Sequence, residues 1–304
     1  MSIAQLFPSL TARSCLAVLG LALAALAAPV RAEVCAIDDS GQEICLDQPA
    51  QRIAALSPGA TELVYAAGAG GKVVAVVSFS DYPPEARQVT SVGSHTRLDL
   101  ERLVALKPDL AIGWVTGNPS EQIAKLETLG IPVFMIEPRT FEGVSRAIER
   151  LASLAGTEAQ GHAEAQAFRQ GMADLAAQYA DADPVPVFYQ VWDAPLMTVN
   201  DAHLIGKVIE LCGGDNVFGT LDRLVPRIGT EAVLAADPEA IVAGGMGEEN
   251  RDWLDAWGAY PELKAVKRDN LFFVPPSLIQ RPTPRLLEGS RLFCEKLDEA
   301  RSRR

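Results

Sequence analysis

The sequence predicts an α/β fold: two Rossmann-like lobes joined by a single long helix, with a ligand cleft between the lobes. Three observations predict it. One pattern occurs twice, 130 residues apart, as ERLVALKPDLAI at 101–112 and EAVLAADPEAIV at 231–242. Each copy opens on a glutamate (Glu101, Glu231), runs through an apolar helical stretch to Pro108 or Pro238, then reaches an acid (Asp109, Glu239) and an apolar strand. A helix–turn–strand unit used twice points to two halves of like construction. Along both halves, strand-like apolar runs alternate with helical patterns, the order that parallel sheets require. Between the halves lies a proline-free, Ala- and Gln-rich stretch at 157–182. Its apolar residues at helical spacing are Ala163, Ala167, Met172, Leu175, Ala176 and Tyr179. A helix of that length spans roughly 39 Å and makes a stiff joint, so lobe opening is expected to be limited.

In the first half the expected strands are 53–56, 73–77, 110–114 and 133–136, with helices at 61–67, 100–106, 121–129 and 141–155. In the second half they are strands 187–191, 240–243 and 271–274, with helices near 204–212, 231–235, 252–257 and 284–299. The expected division is a presequence at 1–32, an N-terminal lobe at 33–156 with a hairpin at 33–48, a linking helix at 157–183 and a C-terminal lobe at 184–304.

The presequence reading rests on Arg13, the apolar run 16–28 and the small-residue site Val30-Arg31-Ala32. This is a signal peptide cleaved after Ala32, and the run is too short for a membrane span. The mature chain is then exported and soluble. Removing Arg13 and Arg31 leaves 25 basic side chains against 39 acidic ones, a net charge of −14. That argues against nucleic acid and anionic lipid as partners. Four cysteines remain beyond Cys15, an even number in an oxidising compartment. Cys35 and Cys45 flank a hairpin-like AIDDSGQEI, which brings them together; by elimination Cys212 pairs with Cys294.

Enzymatic motifs are absent from the sequence. Gly68-Ala69-Gly70-Gly71-Lys72 follows a helix, where a phosphate loop follows a strand, so it reads as a helix end and turn. No nucleophile elbow and no zinc-binding helix motif occur, and His95, His162 and His203 lack metal-ligand spacing. His162 reads as a solvated residue of the linking helix. The chemistry that remains lies just after expected strands: Phe79 to Pro84, Trp114, Gln190 to Trp192, and Ser277 to Arg281. In open α/β sheets those ends line the ligand crevice, and aromatics there suit a large, flat, partly apolar ligand. The Arg281 guanidinium is suited to fork onto a phosphate or amide of that ligand. Asp99 and Thr230 read as helix N-caps beside Glu101 and Glu231.

Four segments carry a resemblance. They are Ser57-Pro58-x-x-Thr61-Glu62-Leu63, Ser80-Asp81-Tyr82-Pro83-Pro84, Leu100 to Leu110, and Cys212-Gly213-Gly214-x-Asn216-Val217-Phe218. Together they resemble the periplasmic cobalamin-binding proteins of bacterial ABC-type importers, within the wider class that also carries haem and ferric siderophores. The resemblance runs from about Arg52 to near Leu297. It implies a non-enzymatic protein without a cofactor, with cobalamin (vitamin B12) or a related corrinoid as its transported ligand. Phe79, Trp114 and Arg281 match cleft positions of that family; Glu101 and Glu231 match two acids that dock on the permease dimer; Cys212 and Cys294 match a family disulfide. The chain departs from the pattern at His95, where a cleft tryptophan is expected, at Met197 and Val225, near positions that take aromatics, and at Ser277, where an acid can sit. Tyr82 and Trp192 complete the expected ligand-binding set with Phe79, His95, Trp114, Met197, Ser277 and Arg281. Haem or a ferric siderophore on the same scaffold is the alternative cargo, and an exported α/β hydrolase the alternative class.

Overall fold

The structure is a computed structural model that describes residues 33–245 and 247–304. The expected presequence lies outside the described residues.

The chain enters through an antiparallel hairpin of Val34–Ile37 and Glu43–Leu46, with Cys35 opposite Cys45 and disulfide-bonded to it. Asp38 organises the turn: its Oδ1 accepts from the backbone N–H groups of Ser40 and Gln42, both at 2.9 Å. The same turn clips onto the sheet behind it. Asp38 Oδ2 accepts from the Met135 N–H at 3.1 Å, and the Asp39 N–H donates to the Met135 carbonyl at 2.9 Å. An exposed strand edge invites unwanted pairing, and the hairpin covers this one.

Two four-stranded parallel sheets follow. The first has the order Val73–Ala75, Ile53–Ala55, Leu110–Trp114, Val133–Ile136. The second has the order Gly214–Asn216, Val185–Gln190, Ala240–Ala243, Leu271–Phe273. Counted along the chain, both read second, first, third, fourth. The repeated sequence unit supplies the third strand of each sheet and the helix before it. It is anchored alike in both: the N–H of Asp109 donates to the Arg52 carbonyl, and that of Glu239 to the Pro186 carbonyl, each at 2.9 Å.

Strands Leu110–Trp114, Val133–Ile136 and Ala240–Ala243 stand where the apolar runs placed them. So does the helix Phe141–Ala155, because its ends are chemically marked. The Thr140 side chain accepts from the Gly143 N–H, and Gly156 ends the helix at φ +67°, which glycine adopts without steric cost. The Gly214–Asn216 strand was not expected; it is a partly exposed edge strand of Gly-Asp-Asn, with no apolar signature.

A single helix, Glu158–Tyr179, runs between the two sheet-bearing lobes. Its buried face differs from the one expected. Gly161, Ala165, Phe168, Met172, Leu175 and Tyr179 are buried, while Ala163, Ala167 and Ala176 are exposed. Alanine tolerates either environment, so the large Phe168, Met172 and Leu175 set the rotation. Gly161 sits where an added Cβ would collide with Ala152 of the preceding helix, which allows the two helices to pack closely. His162 is exposed and pairs with Glu149 at 3.3 Å. In the C-terminal lobe, the Cys212–Cys294 disulfide joins the end of the helix Leu204–Leu211 to the helix Leu286–Ser302.

One cap differs as well. Asp99 caps its helix by accepting from the Arg102 N–H at 3.0 Å, as expected. The second copy is capped by Gly229, with Thr230 as the first residue of its helix and no side-chain cap bond.

Candidate ligand-binding cleft

The expected ligand residues form four groups, the first a single isolated aromatic, on loops and strand ends of the two lobes except for Ser277, which lies in the short helix Pro276–Ile279. Phe79 is the isolated one. It is 78 % exposed and its backbone stands at φ +66°, in the left-handed region. Holding a non-glycine residue there costs on the order of 1–3 kcal/mol, and such strain gathers at ligand-contacting sites. A large apolar ring displayed on a strained backbone is a surface made to be covered.

The second group pairs His95 with Trp114. Their ring centroids are 5.7 Å apart at an interplanar angle of 44°. Buried Asn118, which the sequence reading missed, holds both in place. Its Oδ1 accepts from the Trp114 N–H at 2.7 Å, while its Nδ2 donates to the carbonyls of Leu56 (2.9 Å) and His95 (2.8 Å). Its sequence signal is an Asn-Pro pair just before a helix, which marks a turn but not a partner.

The third group is in the C-terminal lobe. Trp192 and Met197 face each other across an antiparallel bridge, and Met197 also bridges to Arg227. Trp192 is 42 % exposed and meets Trp253 edge-to-face at 5.8 Å. Its indole N–H is held by the Ala194 carbonyl at 3.2 Å.

The remaining residues, Tyr82, Ser277 and Arg281, meet in a polar network across the lobes. Arg281 Nη1 donates to Glu62 Oε1 at 2.7 Å and to Asp81 Oδ1 at 3.0 Å, and its Nη2 donates to the Phe79 carbonyl at 3.2 Å. Thr283 Oγ1 donates to Glu62 Oε2 at 2.7 Å, and Arg285 approaches Glu62 Oε1 at 3.4 Å. The Arg285 guanidinium lies 4.2 Å over the Tyr82 ring. Ser277 is buried; its hydroxyl donates to Glu248 Oε2 at 2.7 Å and accepts from Arg285 at 3.3 Å. Burial opposes the charge of Arg281, but the hydrogen bond and charge of Glu62, then those of Asp81, outweigh it, and the guanidinium pKa is raised. Arg281 is thus not a free surface cation waiting for a ligand. It is already committed to two carboxylates of the other lobe.

Glu62 is the second residue that sequence reasoning passed over. It stands in the Ser57-to-Leu63 motif, within a helix whose neighbours Ala60, Thr61, Leu63 and Val64 are buried, and it is itself 3 % exposed. A cavity of about 740 Å³ lies beside this network on the side of the linking helix, lined in part by Glu62, Tyr82, Gln160, Arg285 and Arg291. Glu101 and Glu231 are apart from all of this. Each is exposed in the first turn of its helix, one on each lobe.

The family model for the periplasmic binding protein matches residues 53–278, which spans both sheets. The chain belongs to the periplasmic binding protein family. Among its relatives in that family, the vitamin B12-binding protein of Vibrio cholerae is 37% identical over 249 residues, 82% of this chain and 90% of the relative. The vitamin B12-binding protein of Photorhabdus laumondii is 34% identical over 248 residues, 82% of this chain and 88% of that protein. The crystal structure of the periplasmic vitamin B12 binding protein of Vibrio cholerae matches with a TM-score of 0.75 at 37% identity, covering 83% of this chain and 98% of that one. A periplasmic heme-binding protein from Roseiflexus has a TM-score of 0.72 at 23% identity, covering 82% of this chain and 99% of that one, a likeness of fold. As a member of a binding-protein family, the chain has a fold made for holding a solute. Among its described residues no helix is long and apolar enough to cross a membrane.

Proposed function

We propose that this periplasmic binding protein captures cobalamin or a related corrinoid and delivers it to an ABC importer. The observation that carries the proposal is the 37% identity to a vitamin B12-binding protein across 90% of that relative's length. The cleft chemistry supports it. A corrin ring is broad and largely apolar with polar amides at its rim, so it needs aromatic faces and a few fixed donors. Phe79, Trp114 and Trp192 supply faces, Tyr82 and His95 add ring edges, and Met197 adds a polarisable contact. Arg281 supplies polar anchoring through the N–H groups that Glu62, Asp81 and the Phe79 carbonyl leave unused, and Ser277 contributes by holding Arg285 beside it.

The rest of the reading follows from this one. The chain is exported, with its signal peptide removed after Ala32, and acts as a monomer without catalysis or a resident cofactor. The lobes are 33–156 and 184–304, and 157–183 links them. Glu101 and Glu231, each on a helix start of its own lobe, meet basic residues on a two-fold symmetric permease dimer, where complementary charge sets orientation and encounter rate.

Calorimetric titration of the mature protein with cyanocobalamin tests the cargo, with haemin and a ferric siderophore titrated beside it. Sub-micromolar binding of cyanocobalamin alone is the expected result. Heat from a control and none from cyanocobalamin moves the cargo to that control.

A further inference from the structure

We infer that Glu62 is a cross-lobe latch: a buried carboxylate of the N-terminal lobe that holds the Arg281–Arg285 segment of the C-terminal lobe, and so sets the width of the cleft with no ligand present. Glu62 leaves the helix Pro58–Ala66, and both of its oxygens are taken by the far lobe. Oε1 receives Arg281 at 2.7 Å and Arg285 at 3.4 Å; Oε2 receives Thr283 at 2.7 Å. Thr283 is fully buried, and only a methyl-sized space separates the helix start at Gly59 from it: a Cβ built at Gly59 would stand 3.9 Å from the Thr283 methyl group. The same C-terminal segment grips a second piece of the N-terminal lobe, through Arg281 on Asp81 and the Phe79 carbonyl and through Arg285 over Tyr82. Two carboxylates meet two guanidinium groups, so the contact is charge-balanced.

Among the described residues, this noncovalent contact between residues 62 and 281–285 ties the lobes together in addition to the linking helix. The stiff helix already limits lobe opening, and a second attachment narrows the motion that remains. Removing one partner of a buried, hydrogen-bonded ion pair strands the other, so the attachment resists piecemeal opening. Glu62 acts on a ligand through Arg281 and through cleft width, as a positioning residue.

The test uses the mature protein with Lys125→Cys and Glu262→Cys, one exposed label site on each lobe; the four native cysteines are already in disulfides. Pulsed electron spin resonance reads the distance between spin labels in ligand-free protein. Glu62→Gln keeps the shape and removes the charge. It is expected to broaden the distance distribution, and calorimetry is expected to show roughly tenfold weaker cyanocobalamin binding if the competent spacing falls to about a tenth of the population. Thr283→Val removes one donor at nearly constant volume and is expected to give a smaller change in the same direction; it decides the matter if Glu62→Gln does not fold. An unchanged distribution in a folded variant overturns the latch. The effect on affinity rests on the corrinoid reading, but the label distance does not: a broadened distribution in a protein that ignores cyanocobalamin upholds the latch and removes the cargo.

Discussion

The imidazole of His95 stands 5.7 Å from the indole of Trp114, tilted by 44°, and Asn118 hydrogen-bonds to the backbone of both. A histidine where the resemblance led us to expect tryptophan thus remains part of an aromatic surface. An aromatic pair of this kind contributes about 0.5–1.5 kcal/mol beyond its area. His95→Ala is expected to weaken cyanocobalamin binding by roughly two- to tenfold. The visible spectrum of the bound corrinoid is expected to be the same in both proteins. A spectrum that changes with His95 would mean that the imidazole ligates cobalt.

Asn118 is expected to matter to stability as well as to binding. Asn118→Leu strands the Trp114 N–H and the Leu56 and His95 carbonyls, where an unpaired buried polar group costs about 1–3 kcal/mol. Chemical denaturation is expected to show a loss of about 3 kcal/mol with an unchanged slope. A loss under 0.5 kcal/mol would mean that water replaces the amide.

Arg281→Ala removes the principal cationic partner of a carboxylate that is 3 % exposed. Breaking such a pair from one side costs about 3–5 kcal/mol, so unfolding free energy is expected to fall together with ligand affinity. Arg281→Lys keeps the charge but not the fork that reaches Glu62 and Asp81 at once, and should recover only part of both. Full stability in Arg281→Ala would show that Arg285 alone satisfies Glu62.

His203 predicts an acid-sensitive step. It caps the helix Leu204–Leu211, its Nδ1 accepting from the Ile205 N–H at 3.1 Å. Burial, with a smaller contribution from Arg139, pushes its pKa down to about 4. The unfolded chain therefore binds a proton near pH 6.5 that the folded chain refuses. This contribution is fully present above pH 6.5 and is lost as the pH falls toward 4, amounting to about 2 kcal/mol by pH 5. His203→Asn keeps a capping acceptor without the titration, and is expected to flatten the stability profile between pH 7 and 5. A profile of unchanged slope would assign the acid sensitivity elsewhere.

Glu101 and Glu231 are exposed and lie outside the cross-lobe network. Replacing both with Ala is expected to leave cyanocobalamin affinity intact while lowering uptake by cells or by proteoliposomes bearing the importer. Normal uptake would remove the docking role.

The sequence and the tertiary structure divide this protein between them. Its own residues announced two α/β halves, a long helix between them and the strand-end loops that carry the aromatics, because periodicity, caps and turn residues act over a few positions at a time. The match was closest where the signals were strongest: apolar runs at 110–114 and 240–243, and a helix marked by Thr140 and Gly156 at 141–155. It failed where local chemistry is mute. Alanines of the linking helix fit either face, Gly214–Asn216 pairs as a strand with no apolar side chain, and Asn118 reads as a turn residue. Above all, nothing near Glu62 tells that its partners lie 219 to 223 residues away. Only the folded chain brings Arg281, Thr283 and Arg285 to that carboxylate, because burying a charge is tolerable only when distant donors arrive together to satisfy it.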